Sequence, residues 1–204
     1  RNGAGPQGAA ALMLIVVRHG RTPANAAGQL LGRRDPELDE LGRAQAAAVG
    51  IAIPTAACVI SSPLMRCRQT AEAIGTSVEV DERLIEVDYG DFEGLAIGDV
   101  PAATWATWRA DTAWSPPGGE SHDDLVARVW PLLDEVRHEA AARDVVLVSH
   151  VSPIKACLAW GLGVSIDIAW RAFVEQASIL RIATNGPSQS LRSFNETHHL
   201  AHLD

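Results

Sequence analysis

Two stretches of this chain are built alike, and together they narrow its fold more than any other feature. Leu14-Ile15-Val16-Val17 runs straight into Arg18-His19-Gly20, and Val145-Val146-Leu147-Val148 runs into Ser149-His150. A continuous apolar run of this length, bounded by polar residues, reads as a short buried strand. Similar runs lie at 57–61 and 178–183, with helical patterns between them. Strands alternating with helices predict an α/β fold, a three-layer sandwich whose mostly parallel sheet is covered by helices on both faces. Sites in such sheets form where the carboxyl ends of strands feed loops. If the two strands are neighbours, His19 and His150 meet in one crevice.

The intervening patterns carry start signals. Asp39 is placed to cap a helix over 39–50, with Leu41, Ala44, Ala48 and Val49 on its apolar side. Ser62 as N-cap, with Pro63 at the first helical position, predicts a helix over 63–75. Ser121 and Asp124 stand at capping-box spacing before Leu125, Val129, Leu132, Leu133 and Val136, predicting a helix over 121–142. Ser152-Pro153 repeats the Ser-Pro signal for a helix to about Gly161. Residues 92–120 are irregular and hold Trp105, Trp108 and Trp114, so they read as a cap-like insertion in a single domain spanning 13–204. Residues 1–12, Gly- and Ala-rich, read as a flexible leader or an expression remnant ahead of Met13. The apolar run over 9–17 does not suit a signal peptide, because cleavage after it would remove the strand leading to His19.

Composition limits the function. The 204 residues carry a net charge of −8, which argues against a nucleic-acid surface needing a basic stripe. An anionic substrate stays compatible, because a few buried arginines make a local positive pocket. Lys155 is the only lysine. Cys58, Cys67 and Cys157 are odd in number and form no Cys-x-x-Cys pair, so neither a disulfide framework nor structural zinc is expected. A reduced, cytoplasmic setting fits, and no stop-transfer segment points to a membrane.

Phosphoryl transfer needs an anion clamp, a nucleophile and an acid for the leaving oxygen. A neutral imidazole such as His19 is a nucleophile, and the adjacent Arg18 can hold an oxyanion against it. In Ser61-Ser62-Pro63-Leu64-Met65-Arg66, a helix N-terminus and Arg66 either face an anion or form an ordinary capped surface helix. Five carboxylates lie between Glu82 and Gly94, and composition does not choose among them.

Four ordered motifs carry a resemblance. Leu-Ile-Val-Val-Arg-His-Gly-Arg-Thr-Pro-Ala-Asn at 14–25, Ser-Ser-Pro-Leu-Met-Arg-Cys-Arg-Gln-Thr-Ala at 61–71, Leu-Ile-Glu-Val-Asp-Tyr-Gly-Asp-Phe-Glu-Gly at 84–94, and Val-Ser-His at 148–150 resemble the histidine phosphatase superfamily, also called the phosphoglycerate mutase-like family. Pro117-Gly118-Gly119-Glu120-Ser121 is similar to a further motif of the branch holding mutases and broad phosphatases. The resemblance implies that His19 becomes phosphorylated and that Arg18, Arg66 and His150, the last as a protonated or hydrogen-donating ring, hold the phosphoryl oxygens. It implies that Glu86 protonates the leaving oxygen and then activates water, and that Thr22 and Asn25 line the phosphate pocket. Two positions depart from the pattern. Val151 stands where Gly commonly follows the second His, a poor fit if that backbone needs positive φ. Arg21 stands where another polar residue is common, and either adds charge at the pocket, as a substrate-binding residue, or is solvated.

Other features have plain readings beside sharper ones. His198, His199 and His202 suggest a metal site or simply the family's ordinary C-terminal ending. The three tryptophans pack the insertion or contact substrate. Cys67 beside Arg66 is either a lowered-pKa thiol or a packing residue, and His122 reads as a surface residue. The expected function is an enzyme of the histidine acid phosphatase type, a phosphomonoesterase acting through a phosphohistidine on a small phosphorylated metabolite without cofactor or metal. A homodimer is allowed, and the alternatives are a cofactor-dependent phosphoglycerate mutase and a non-catalytic phospho-ligand-binding module. No motif in 92–120 names the substrate.

Overall fold

The computed structural model describes residues 12–54, 58–75 and 77–203. The expected leader, Leu12 apart, lies outside the described residues. Among the described residues six strands, β1 (Met13–Arg18), β2 (Cys58–Ser61), β3 (Val78–Val80), β4 (Val145–Ser149), β5 (Ile179–Ala183) and β6 (Ser190–Glu196), form one sheet in the order β3-β2-β4-β1-β5-β6. β3, β2, β4 and β1 run parallel, while β5 and β6 close the far edge antiparallel. β1 and β4 are neighbours in register, with Arg18 opposite Ser149. β3 and β6 escape the apolar-run criterion because β3 is only three residues long and β6 is nowhere fully buried.

The helices are α1 (Pro23–Ala26), α2 (Glu40–Ala52), α3 (Met65–Glu72), α4 (Ala102–Ala110), α5 (His122–Ala140) and α6 (Val151–Leu162). The central strands are apolar throughout because successive side chains enter opposite cores. Leu14, Val16, Val145 and Leu147 pack with Leu125, Val129 and Leu133 of α5 and Ile154 of α6. Ile15, Val17, Val146 and Val148 pack with Val49 of α2 and Cys67 and Ala71 of α3. Each such side chain contributes roughly 1.5–3 kcal/mol by burial, so these runs anchor the loops at their ends. Among the described residues no helix is long and apolar enough to cross a membrane.

α5 opens on the expected capping box, with Ser121 and Asp124 bonded reciprocally. Two other helix starts differ from expectation. α3 begins at Met65, because Leu64 is still extended (φ −68°, ψ 138°) and makes no side-chain cap. Ser62 is not its N-cap; its hydroxyl lies 2.8 Å from His150 Nε2. α6 begins at Val151, one residue before Ser152, with the extended His150 (φ −124°) in the N-cap position. Val151 is therefore helical and its β-branch unstrained. Among the described residues only Ala177 and Asn195 are non-glycines at positive φ.

Glycine permits close backbone approaches at both the site and the base of the insertion. A Cβ on Gly20 would lie 2.3 Å from Gly42 O, so the loop after β1 sits directly against the start of α2. Gly90, at φ +50°, has no room for a Cβ because Pro117 O would be 2.1 Å away. Asp91 N–H donates to Pro117 O and Glu120 N–H to Asp88 O, stitching the Tyr89-Gly90 turn to the Gly118-Gly119 turn. Residues 92–116 thus leave and return through one closed base, carrying the 3-10 turn Ile97–Asp99 and α4.

Candidate active site

The sheet delivers its reactive residues to a chamber of about 300 Å³, lined by Arg18, His19, Asn25 and Glu86 among others. β1 hands on His19, whose backbone N–H donates to Ser149 O at 3.0 Å. β4 hands on His150, and the two rings meet edge to face with centroids 5.1 Å apart. The adjacency of β1 and β4 produces that meeting.

His19 Nδ1 lies 2.7 Å from Gly20 O. A carbonyl only accepts, so Nδ1 carries the proton and Nε2 of the neutral ring keeps its lone pair. Burial, reinforced by the Arg66 and Arg18 guanidiniums, holds the ring's pKa well below the usual imidazole range. His19 is therefore neutral at pH 7. Arg18 donates from Nη1 to Val174 O at 2.6 Å. Its buried Nε has no partner.

Glu86 is 3% exposed. Its Oε1 accepts from Val87 N–H at 2.8 Å and from Ser152 N–H at 3.2 Å, the latter in the first turn of α6. Its segment is braced from behind. Arg128 donates to Arg83 O at 2.6 Å and to Glu86 O at 3.4 Å. Arg128 is in turn held by both carboxylate oxygens of Glu120, at 2.6 and 2.9 Å.

Arg66 and His150 are completely buried. Arg66 Nε donates to His150 Nδ1 at 3.1 Å, which leaves the proton on His150 Nε2, facing Ser62 Oγ. Burial and the Arg66 charge depress the His150 pKa strongly, so the hydrogen-donating neutral ring is the form present, not the imidazolium. The remaining Arg66 nitrogens donate to Arg34 O at 2.8 Å and Gly32 O at 2.9 Å. Neither Arg66 nor His150 lines the chamber.

Thr22 and Asn25 form a reciprocal capping box at the start of α1. Thr22 is buried, and Asn25 reaches the chamber. Arg21 does not line it; its Nε pairs with Asp39 at 2.7 Å, and Asp39 also caps α2 through Gly42 N–H. Arg21, expected either at the pocket or in solvent, is thus held in a partly exposed ion pair outside the chamber lining.

Sequence reading missed Tyr89, Lys155, Phe173 and Gln176, all of which line the chamber. Val151, noted for its backbone alone, lines it too. Lys155 had a legible signal, being the sole lysine and lying just over a helical turn beyond His150. Phe173 and Gln176 belong to no motif and arrive through tertiary folding. His122, expected at the surface, is only 6% exposed, and burial pushes its pKa down to about 4. Cys67 packs under the sheet; burial raises its thiol pKa, and its S–H donates to Ser149 O. Trp108 is a core residue at 2% exposure. His199 Nε2 bonds Ala177 O, and among the described residues no group of three or more His, Cys, Asp or Glu forms a metal-holding cluster. A larger depression of about 460 Å³ near the C-terminus is lined by Glu175 and His198 among others, but by no arginine or lysine that could hold an anion.

Comparison with known proteins points the same way. The sequence pattern of the histidine phosphatase superfamily (branch 1) matches residues 14–197. A bifunctional protein of Mycobacterium tuberculosis is 35% identical over 199 residues, covering 92% of this chain and 54% of its own length. The chain thus spans about half the length of that relative. A glucosyl-3-phosphoglycerate phosphatase of Mycolicibacterium vanbaalenii is 36% identical over 170 residues, 76% of each chain. The solved mycobacterial glucosyl-3-phosphoglycerate phosphatase in complex with VO3 superposes with a TM-score of 0.83 at 34% identity, covering 92% of this chain and 100% of that one. Histidines presented at adjoining strand ends and a family match over nearly all the described residues agree, and the chain belongs to branch 1 of the histidine phosphatase superfamily.

Proposed function

We propose that the protein is a phosphomonoester hydrolase that works through a phosphohistidine at His19. One observation carries this reading: the Nδ1–H of His19 is tied to Gly20 O, leaving Nε2 open in a chamber shared with Arg18 and Glu86. His19 Nε2 attacks phosphorus as the bond to the leaving oxygen breaks, and protonated Glu86 gives its proton to that oxygen. In the second step Glu86, now a carboxylate, takes a proton from water. The oxygen displaces His19 from phosphorus, and phosphate leaves with the ring neutral again.

The unpartnered Arg18 Nε is a ready donor to a phosphoryl oxygen. Arg66 reaches one by exchanging the Gly32 and Arg34 carbonyls for substrate, so the 32–34 loop adjusts when phosphate enters. Because His19 stays neutral well below the usual imidazole range, its nucleophile persists into acid. That supports an acid-phosphatase type of activity. The phosphatase names of the two relatives support the reaction class.

The test uses p-nitrophenyl phosphate with the parent and His19→Ala, together with quenched turnover. The parent should show an acid-labile, base-stable phosphoenzyme, and His19→Ala should lose about a thousandfold or more in kcat. Equal rates in the two proteins overturn the nucleophile. Phosphoglycerate isomerisation dependent on 2,3-bisphosphoglycerate, faster than ester hydrolysis, makes the protein a mutase instead.

A further inference from the structure

Beside the chamber lies a second cavity of about 150 Å³, and Tyr89, Val151 and Lys155 belong to the walls of both. Its other walls include Trp105, Trp108, Trp170 and His122. Trp105 stacks flat on Trp108 at 5.7 Å, and Trp170 stands edge-on to both at 6.1 and 5.7 Å. The His122 ring lies 5.7 Å from Trp108 and 5.2 Å from Trp170. Trp108 Nε1, Trp170 Nε1 and His122 Nδ1 are all buried without a hydrogen-bond partner. Buried N–H groups are paired in the great majority of native structures, and one left unpaired costs about 1–3 kcal/mol. Two of these are indole N–H donors and the third is an imidazole nitrogen, so one ring cluster carries three polar atoms that the surrounding protein leaves unpaired.

The chemistry of this annex selects its occupant. Two indole N–H groups only donate, and the Lys155 ammonium at the shared wall adds further donors. Whatever enters must therefore bring lone pairs. The indole faces ask for an apolar face as well, such as the C–H side of a saturated ring. A cavity of about 150 Å³ holds a single six-membered ring. An alkyl chain would leave the donors unpaired, and a quaternary ammonium would meet the charge of Lys155.

We propose that the annex receives a hydroxylated six-membered ring on the leaving alcohol, making the preferred substrate a sugar- or cyclitol-bearing phosphomonoester held by Trp170, His122 and Lys155. This substrate class rests on the phosphatase reading. Ring oxygens accept from the indoles and from Lys155, and the ring's C–H face lies on tryptophan. Val151 and Lys155, at the shared wall, set how the ring connects to the phosphate.

The test ranks p-nitrophenyl phosphate, glycerol 3-phosphate, AMP, myo-inositol monophosphates and hexose monophosphates by kcat/KM. The best hexose or inositol ester should exceed glycerol 3-phosphate by about thirtyfold or more, the scale expected when a site built to hydrogen-bond hydroxyls loses them. Its ratio to p-nitrophenyl phosphate should fall about tenfold in both Trp170→Leu and Lys155→Met, mainly through KM. Glycerol 3-phosphate or AMP in first place, or a ratio unmoved in both variants, overturns the proposal. Tryptophan emission gives a readout without turnover. Titrating that same ester, or inositol and hexose monophosphates in turn if none is hydrolysed, into His19→Ala should quench saturably, and Lys155→Met in that background should weaken the quench about tenfold. If no ester is hydrolysed but the quench appears, the phosphatase reading falls and the ring site stands. If hydrolysis proceeds and no ring-bearing ester quenches, the ring site falls alone.

Discussion

The reacting chamber and the aromatic annex are wired in opposite ways. At the reacting site His19 Nδ1, both ring nitrogens of His150, all three Arg66 nitrogens and the Glu86 carboxylate have protein partners, while Arg18 Nε is buried without one. In the annex two indoles and an imidazole are buried with a nitrogen unpaired. Pre-set dipoles suit a step in which charge develops the same way for every ester, because they cost no reorganisation at the moment of reaction. Unpaired donors suit the part of a substrate that varies, because they penalise every wrong occupant. On this view strand ends hold the chemistry, and residues 92–120 with the 166–171 turn hold the choice.

The largest break of this division comes at Glu86. Glu86→Gln keeps the shape and removes the proton, so kcat should fall about 10²- to 10⁴-fold for sugar and alkyl esters alike. The loss should be smaller for p-nitrophenyl phosphate, whose leaving oxygen needs less protonation. Steady-state kinetics on the two ester types checks this. An equal loss on both would remove Glu86 as the acid of the first step.

The division also explains what was legible beforehand. His19 and His150 could be paired from sequence because an uninterrupted apolar run marks a central strand, and central parallel strands are neighbours. Arg66 stood open between an anion site and a surface helix until the family resemblance chose, and its Ser-Pro signal was only half right, since Ser62 serves His150 and not the helix. Glu86 needed the family resemblance, since four other carboxylates surround it in sequence. The annex left almost no trace. Trp170 meets Trp105 and Trp108 only through folding, and an unpaired N–H is a property of three-dimensional surroundings. His122 looked exposed because its neighbours Glu120, Asp123 and Asp124 are polar, yet it turns inward from the first turn of α5.

A second test uses pH and applies to both regions. His19, His150 and His122 have folded pKa values depressed by burial, whereas the unfolded chain titrates near 6.5. Below pH 6.5 the unfolded state binds protons that the folded state refuses, so stability is lost as pH falls. For His122 the loss accumulates to about pH 4 and amounts to about 2 kcal/mol by pH 5. His122→Phe keeps an aromatic ring and removes that titration. Its denaturation midpoint should therefore drop less than the parent's between pH 7 and pH 5. The remaining slope belongs to the other imidazoles whose pKa burial lowers, His19, His150 and His199. Parallel slopes in both proteins would mean that His122 is not buried neutral.

A smaller effect is expected behind the chamber. Glu120 touches no reacting atom, but through Arg128 it fixes the backbone that carries Glu86. Glu120→Gln should lower kcat about tenfold, with KM nearly unchanged, because sub-ångström displacement of a catalytic group costs rate before affinity. The loss should be larger on alkyl esters than on p-nitrophenyl phosphate, as for Glu86→Gln, a split that simple loss of stability would not produce. Glu120→Asp, which keeps a shorter carboxylate, should retain only part of the rate.

The smallest effect belongs to Arg21, although it lies only two residues from His19. Its guanidinium is committed to Asp39 in a partly exposed pair, with side chains 35% and 18% accessible. Such pairs are worth about 1 kcal/mol or less. Arg21→Ala should lower the unfolding midpoint slightly, by freeing the carboxylate that caps α2, and should leave kcat/KM within about twofold on every ester. If kcat/KM instead falls tenfold, with the unfolding midpoint unchanged, Arg21 leaves Asp39 for the phosphate during turnover. The chamber would then draw on residues that the free protein holds elsewhere, as it already must for Arg66, and partner wiring in the free state would no longer separate the groups that act from those that support.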